Sequence, residues 1–124
     1  MTPKRILIAD DDSFILDLYR VALEGNHYEI DTATDGSEAL RAATSKPYDL
    51  IIMDIVMPKM NGIDSIREIR KKRPHAPIIV ITSFHNQFTD VLDEINVQCV
   101  LIKPVMITQL VQSVQEVIRT SEEA

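Results

Sequence analysis

Two patterns of apolar and polar residues alternate along the chain, and the first of them, a short apolar run, predicts strands. Short, nearly continuous apolar runs are typical of strands buried on both faces of a sheet, and they occur at 5–9, 49–54, 77–83 and 99–103. A further segment, 28–33, alternates apolar and polar residues, which indicates a strand nearer the sheet edge. The pattern therefore predicts five strands.

Between the strands, apolar residues recur every three or four positions, which predicts amphipathic helices. The predicted helices run from Ser13 to a stop at Gly25, from the Asp35-Gly36 turn to a point before Pro47, over 63–73, over 87–95, and onward from Pro104 with Thr108 as N-cap. Five strands alternating with five helices predict an α/β fold of the (βα)5 type. Its parallel five-stranded sheet would be doubly wound, with helices on both faces.

Composition limits the possible functions. With 124 residues, 45% of them hydrophobic, the chain is expected to form a single domain over 1–124, with a core at about 4–120 and a short polar tail. A formal net charge of -6 argues against direct nucleic-acid contact. The lone Cys99 is interpreted as a buried apolar residue, and no apolar run has the length of a signal peptide or a membrane span. A cytoplasmic protein is expected.

Polar side chains follow four of the five predicted strands at their carboxyl ends, where doubly wound sheets bind ligands. These residues are Asp10, Asp11 and Asp12 after the first strand, Asp54 at the end of the third, Thr82 and Ser83 at the end of the fourth, and Lys103 at the end of the fifth. Because parallel strands end at one edge of the sheet, these groups are expected to lie together. Read singly, Asp10 and Asp11 could instead cap the first helix.

The charges of this predicted cluster favour a cation. Asp10, Asp11 and Asp54 would repel one another, and a divalent metal together with Lys103 would balance them. Hard carboxylate oxygens suit Mg²⁺, and such a site suits a phosphoryl group. Asp54 is the best candidate nucleophile because it stands alone on the central strand.

Four motifs carry a family resemblance: "ILIADDDS", "LIIMDIVMPKMNGID", "PIIVITS" and "LIKP", in this order. Together they resemble the receiver domain of two-component response regulators, over about residues 4–120. The resemblance implies a flavodoxin-like sheet with strand order 2-1-3-4-5. It also implies that Asp54 accepts a phosphoryl group from a histidine kinase or a histidine phosphotransfer protein.

The resemblance further implies roles at matching positions. Mg²⁺, for which Mn²⁺ can substitute, would be held by Asp11, Asp54 and the backbone carbonyl of Val56, with Asp10 acting mainly through coordinated water. Thr82, Ser83 and Lys103 would contact the phosphoryl group, and the Lys103-Pro104 peptide bond would be cis. Phosphorylation would change the affinity for a downstream effector or an output domain. Since the chain would assist only its own phosphorylation and dephosphorylation, it is not expected to be an enzyme.

Some positions depart from the family pattern. Val100 replaces the aromatic residue that commonly precedes the lysine by three positions, and Asn96 stands where a glycine is usual. The response to phosphorylation is therefore expected to involve repacking around Val100 and Phe84. Val56 and Phe84 flank the expected path of an attacking water, and because both are apolar, slow autodephosphorylation is predicted.

Other functions fit the sequence less well. A flavodoxin-like cofactor protein would need glycines and hydroxyls where this chain has "DDDSF", and a haloacid-dehalogenase-type phosphohydrolase would need a second aspartate at Val56. A degenerate receiver that binds partners without phosphorylation is the alternative kept. The sequence leaves open whether the chain works alone or is a piece of a longer protein.

Overall fold

The computed structural model describes residues 2–57, 59–83 and 89–123. The strands are β1 (Arg5–Ala9), β2 (Glu29–Ala33), β3 (Leu50–Asp54), β4 (Ile78–Thr82) and β5 (Cys99–Ile102). The helices are α1 (Ser13–Glu24), α2 (Gly36–Ser45), α3 (Gly62–Lys72), α4 (Thr89–Ile95) and α5 (Ile107–Glu123). Within these residues strands and helices alternate along the chain, as the two patterns predict.

The five strands form one parallel sheet in the order β2-β1-β3-β4-β5. This order confirms the flavodoxin-like arrangement that the family resemblance implies. It reverses between β1 and β3, which are neighbours in the centre of the sheet. The pairing of Asp54 with Ile81 and of Thr82 with Ile102 brings the carboxyl ends of β3, β4 and β5 to one edge.

Alternate residues of each central strand face opposite layers of helices, so the sheet is doubly wound as predicted. Ile6 and Ile8 of β1 belong to the apolar core that includes α1 and α5, whereas Leu7 and Ala9 belong to the core that includes α2, α3 and α4. Every residue of β3 and β4 is buried. This double burial explains the continuous apolar runs in the sequence.

Several local predictions need correction. Thr108 is not the N-cap of α5, because the helix begins at Ile107 and the Leu110 N–H donates to the Met106 carbonyl. Gly25 ends α1 as predicted, with a right-handed φ of -63°, and a left-handed residue follows at His27, with a φ of 71°. Cys99 is half-buried rather than buried.

Other local predictions are confirmed or lie beyond the described part. Asn96 takes the left-handed conformation expected of it, with a φ of 54°. Phe84 and residues 87–88 of the predicted fourth helix lie outside the described residues. In the ranges that are described, no helix has both the length and the apolar character required to cross a membrane.

Candidate phosphoacceptor site

Three carboxylates converge where β1 and β3 end. Asp10, Asp11 and Asp54 each offer a carboxylate oxygen, and these oxygens lie within 4.8 Å of one another. Asp10 is 2% exposed and Asp54 is 3% exposed, whereas Asp11 is open to solvent. Two buried acids with an exposed third form a negative cluster that a ligand can reach from one side.

Asp54 is held rigidly as the last residue of the buried strand β3. Its Oδ1 accepts a hydrogen bond from the Val56 N–H at 3.2 Å, and its Oδ2 accepts one from the Lys103 Nζ at 3.0 Å. The orientation of the Asp54 carboxylate is therefore fixed by one hydrogen bond to each oxygen. The buried apolar strand fixes the backbone that carries this acid.

Asp10 is buried, whereas Asp11 and Asp12 are exposed. Its Oδ1 accepts from the Asp12 N–H at 2.9 Å, while burial, together with the charges of Asp54 and Asp11, raises the pKa of Asp10 to about 6. The Asp12 side chain caps α1, accepting from the N–H groups of residues 14 and 15. Because Asp12 fills the capping role, Asp10 and Asp11 remain available to the cluster.

Lys103 follows β5 and reaches across the edge of the sheet. Its backbone N–H donates to the Thr82 carbonyl at 3.0 Å, and its Nζ lies 3.0 Å from Asp54 Oδ2 and 3.8 Å from Asp10 Oδ2. Burial alone would lower the pKa of Lys103, but the hydrogen bond to Asp54 and the charges of both acids outweigh it and raise that pKa. The lysine is therefore held charged, and the Lys103-Pro104 bond is cis, as the resemblance implies.

The other predicted site residues lie around this cluster. Thr82 is fully buried at the end of β4, and Ser83 is exposed and lines a surface pocket of about 420 Å³ together with Lys103. Val56 is 49% exposed. The phosphoryl contacts predicted for Thr82 and Ser83, and the metal contact predicted for the Val56 carbonyl, remain predictions.

Tyr19 is a residue near the site that the sequence did not indicate. It fits the apolar face of α1, is 3% exposed, and lines the same pocket as Lys103. Burial and the charge of Asp10 raise the pKa of Tyr19. The only signal in the sequence was a phenol on an otherwise apolar helix face, a pattern more typical of core packing.

The loop between β3 and α3 closes tightly over Asp54. The Gly62 N–H donates to the Ile55 carbonyl at 2.7 Å, and a Cβ on Gly62 would overlap the Asp54 carbonyl oxygen. Asn61 caps α3, accepting from the Asp64 N–H at 2.9 Å. Glycine is thus required where the chain returns to the strand end.

The donor set fits a hard divalent cation. Three carboxylates face one lysine, so the cluster has two negative charges more than positive ones when all four groups are ionised. Oxygen ligands on a partly open edge suit Mg²⁺, which retains several waters when bound. The described part of the chain offers no competing group of three or more His, Cys, Asp or Glu side chains.

Comparison with known proteins agrees with the fold. The sequence model of the response regulator receiver domain matches residues 6–115. The chain therefore belongs to the response regulator receiver domain family, whose members are phosphoacceptor signalling domains.

Relatives with known names share this domain. The alkaline phosphatase synthesis transcriptional regulatory protein PhoP of Bacillus subtilis is 34% identical over 120 residues, which is 96% of this chain and 50% of PhoP. The chain thus spans about half the length of the curated relatives it matches.

Solved structures give the same result. A CheY-like receiver domain protein from Methanospirillum hungatei superposes with a TM-score of 0.94 at 28% identity, covering 98% of each chain. Response regulator TrrA from Thermotoga maritima, solved in complex with Mg(2+)-BeF, has a TM-score of 0.84 at 37% identity, covering 92% of this chain and 98% of TrrA.

Proposed function

We propose that Asp54 accepts a phosphoryl group from the histidine of a histidine kinase or histidine phosphotransfer protein in a Mg²⁺-dependent reaction. The observation that carries the proposal is the convergence of Asp10, Asp11 and Asp54 around one lysine. Membership of the receiver family supports it, as does the Mg(2+)-BeF complex of TrrA. The four convergent side chains do not favour the alternative of a phosphorylation-independent interaction module.

The transfer step follows from the surroundings of Asp54. One Asp54 oxygen attacks the phosphorus while the bond from phosphorus to the donor's imidazole nitrogen breaks, and the electron pair stays on that nitrogen. Lys103, already 3.0 Å from Asp54 Oδ2, supplies positive charge for the incoming phosphoryl oxygens. The buried Thr82 hydroxyl and the exposed Ser83 are the proposed donors beside it.

Asp11, Asp54 and the Val56 carbonyl would hold Mg²⁺ directly, with Asp10 acting through water, and Mn²⁺ could substitute. When bound, Mg²⁺ would supply charge that neutralises the phosphoryl oxygens. Asp10 and Lys103 would keep their positions through the contacts they already make, to the Asp12 N–H and the Thr82 carbonyl. The chain turns over no separate substrate in this proposal, so it is a switch rather than an enzyme.

Phosphorylation would be read by a downstream partner, either an effector protein or an output domain. The added phosphoryl group brings about one further negative charge and new acceptor oxygens, which suffices to rearrange the neighbouring loop. Val100 packs, half-buried, against the core on the α4 side of the sheet, so the response is expected to spread through that core. A cytoplasmic location is proposed with this role, since the kinase partners donate phosphoryl groups there.

A labelling experiment tests the proposal. Incubation with acetyl phosphate and Mg²⁺ should add one phosphoryl group, detectable by intact mass, and Asp54→Asn should abolish the addition. Asp31→Asn, the same change on strand β2, is the matched control and should label normally. Labelling that persists in Asp54→Asn, or that proceeds equally with a chelator, would contradict the proposal.

A further inference from the structure

The loop that follows Asp54 is supported by the start of α2, a contact that the phosphoryl chemistry does not itself require. Asp35 caps α2, accepting from the Glu38 N–H at 2.8 Å through Oδ1. Its other oxygen, Oδ2, lies 3.6 Å from the Nζ of Lys59 in the loop. One aspartate therefore joins the beginning of a helix to the loop beside the phosphoacceptor.

The next residue brings the two backbones into direct contact. A Cβ on Gly36 would overlap the carbonyl of Met60, so only glycine permits this approach. Lys59, just before Met60, has a φ of 68°, a left-handed conformation that a lysine rarely adopts. The loop is thus held in an unusual conformation at the point where α2 touches it.

Ser65 completes the connection from the other side of the loop. Its hydroxyl is fully buried in α3 and donates to the Gly36 carbonyl at 2.9 Å, across 29 positions of sequence. A buried hydroxyl on an apolar helix face is stable only with such a partner. This bond fixes the start of α2 relative to the start of α3, and the loop lies between them.

A change in the position of this loop would be transmitted to Asp54 through two hydrogen bonds. Gly62, at the start of α3, is bonded to Ile55 at 2.7 Å, and Val56 donates to Asp54 Oδ1 at 3.2 Å. Movement of α2 away from α3 would therefore change the position of the Val56 peptide relative to the carboxylate.

We propose that Ser65 is a positioning residue for the divalent-cation site: through Gly36 it sets the loop that carries the Val56 peptide beside Asp54. The inference rests on the proposed function, since it concerns binding of the same ion. Ser65 does not touch the reacting atoms. It acts through two backbone contacts.

Mg²⁺ affinity measured on folded protein tests this role. Mg²⁺ alone is titrated while the amide signal of Val56 is followed by NMR, and thermal unfolding is recorded for the same samples. Ser65→Ala should weaken Mg²⁺ binding by about 3- to 10-fold, the range expected for one net hydrogen bond. Ser45→Ala is the matched control, because it removes a hydroxyl that donates to the Ala42 carbonyl within α2, away from the loop.

A second variant covers the case in which Ser65→Ala does not fold. The Lys59 side chain is 73% exposed, so Lys59→Gln breaks the contact to Asp35 without disturbing the core. It should weaken Mg²⁺ binding by about 2-fold, although loss of the lysine charge alone would strengthen that binding. Mg²⁺ binding equal to wild type in folded Ser65→Ala, or in Lys59→Gln if Ser65→Ala does not fold, would overturn the inference and leave the proposed function intact. A wild-type protein that neither binds Mg²⁺ nor labels would instead overturn the proposed function.

Discussion

Charged side chains gather near both ends of the sheet, but the two groups differ in burial. Near the amino ends of β1 and β3, Asp31 accepts from the Tyr48 hydroxyl at 2.7 Å and pairs with Lys46 at 2.8 Å. The side chains of Asp31 and Lys46 are 38% and 45% exposed. At the carboxyl end, Asp10 and Asp54 are at most 3% exposed.

The two groups also differ in charge balance. Hydrogen bonds from Lys46 and Tyr48 lower the pKa of Asp31, which indicates an acid with adequate partners. Burial raises the pKa of Asp10, and three acids share one lysine at that end. A balanced, exposed network adds modestly to stability, whereas an unbalanced buried cluster opposes folding until a ligand neutralises it. Imbalance therefore distinguishes the functional end from the structural one.

Removing Lys103, the cation that contacts Asp54, should have the largest effect. Lys103→Met is expected to slow labelling by acetyl phosphate by about 100-fold, because the incoming phosphoryl oxygens lose their nearest positive side chain. Lys46→Met makes the same change at the amino end and should leave the rate unchanged. Quenched time courses followed by intact mass give both rates, and a Lys103→Met rate within 2-fold of wild type would remove the distinction between the ends.

The excess of negative charge at the carboxyl end should also make the stability of the metal-free protein depend on pH. The pKa of Asp10 is raised in the folded state from 3.8 to about 6, so the folded protein binds this proton more tightly than the unfolded chain. The penalty is therefore full above pH 6 and is relieved as pH falls through 6. Between pH 8 and pH 5 the free energy of unfolding should rise by about 1 kcal/mol, since one pH unit below a pKa of about 6 corresponds to about one pKa unit of free energy.

Urea unfolding in a chelating buffer measures this rise, and Asp10→Asn should remove it. The pKa of Asp31 is lowered from 3.8, so its contribution to stability is lost only as pH falls below that value, which lies outside this window. The two proteins differ only at residue 10, so the difference between wild type and Asp10→Asn isolates the contribution of the Asp10 carboxyl. Equal slopes for the two proteins would mean that Asp10 carries no burial penalty.

Removing one hydrogen bond to Asp31 at the amino end should lower stability without changing the rate of labelling. Tyr48→Phe removes the hydroxyl that donates to Asp31 and should lower the free energy of unfolding by about 1 kcal/mol. Labelling by acetyl phosphate should keep its wild-type rate. A labelling rate that falls along with stability would show that the two ends are coupled.

The sequence predicted the strands, which follow from the local pattern of apolar residues, and the site residues that lie at strand ends. Apolar runs located the strands, and the rule for parallel sheets brought Asp10, Asp54 and Lys103 to one edge. Their convergence could be inferred without distances because each residue directly follows, or ends, a strand.

Contacts between distant segments could not be inferred in this way. The Ser65 hydroxyl meets the Gly36 carbonyl 29 positions away, and nothing local distinguishes Ser65 from a solvent-facing serine. Gly36 was interpreted as a turn residue, although its lack of a side chain serves the contact with Met60. The prediction of Thr108 as an N-cap was wrong. Threonine is a good capping residue, but the carbonyl that accepts the first hydrogen bond of α5 belongs to Met106, two positions earlier.

The smallest expected effect concerns the lifetime of the phosphoryl group. The Val56 side chain is apolar and 49% exposed next to Asp54, so it offers no hydrogen bond to a water approaching the phosphorus. Val56→Gln would supply such a bond and should speed loss of the group by about 3-fold, whereas Val56→Ile should not. Decay after removal of acetyl phosphate, followed by intact mass, measures both. Equal decay in the two variants, or a wild-type lifetime of only seconds, would mean that water is already oriented by groups other than residue 56.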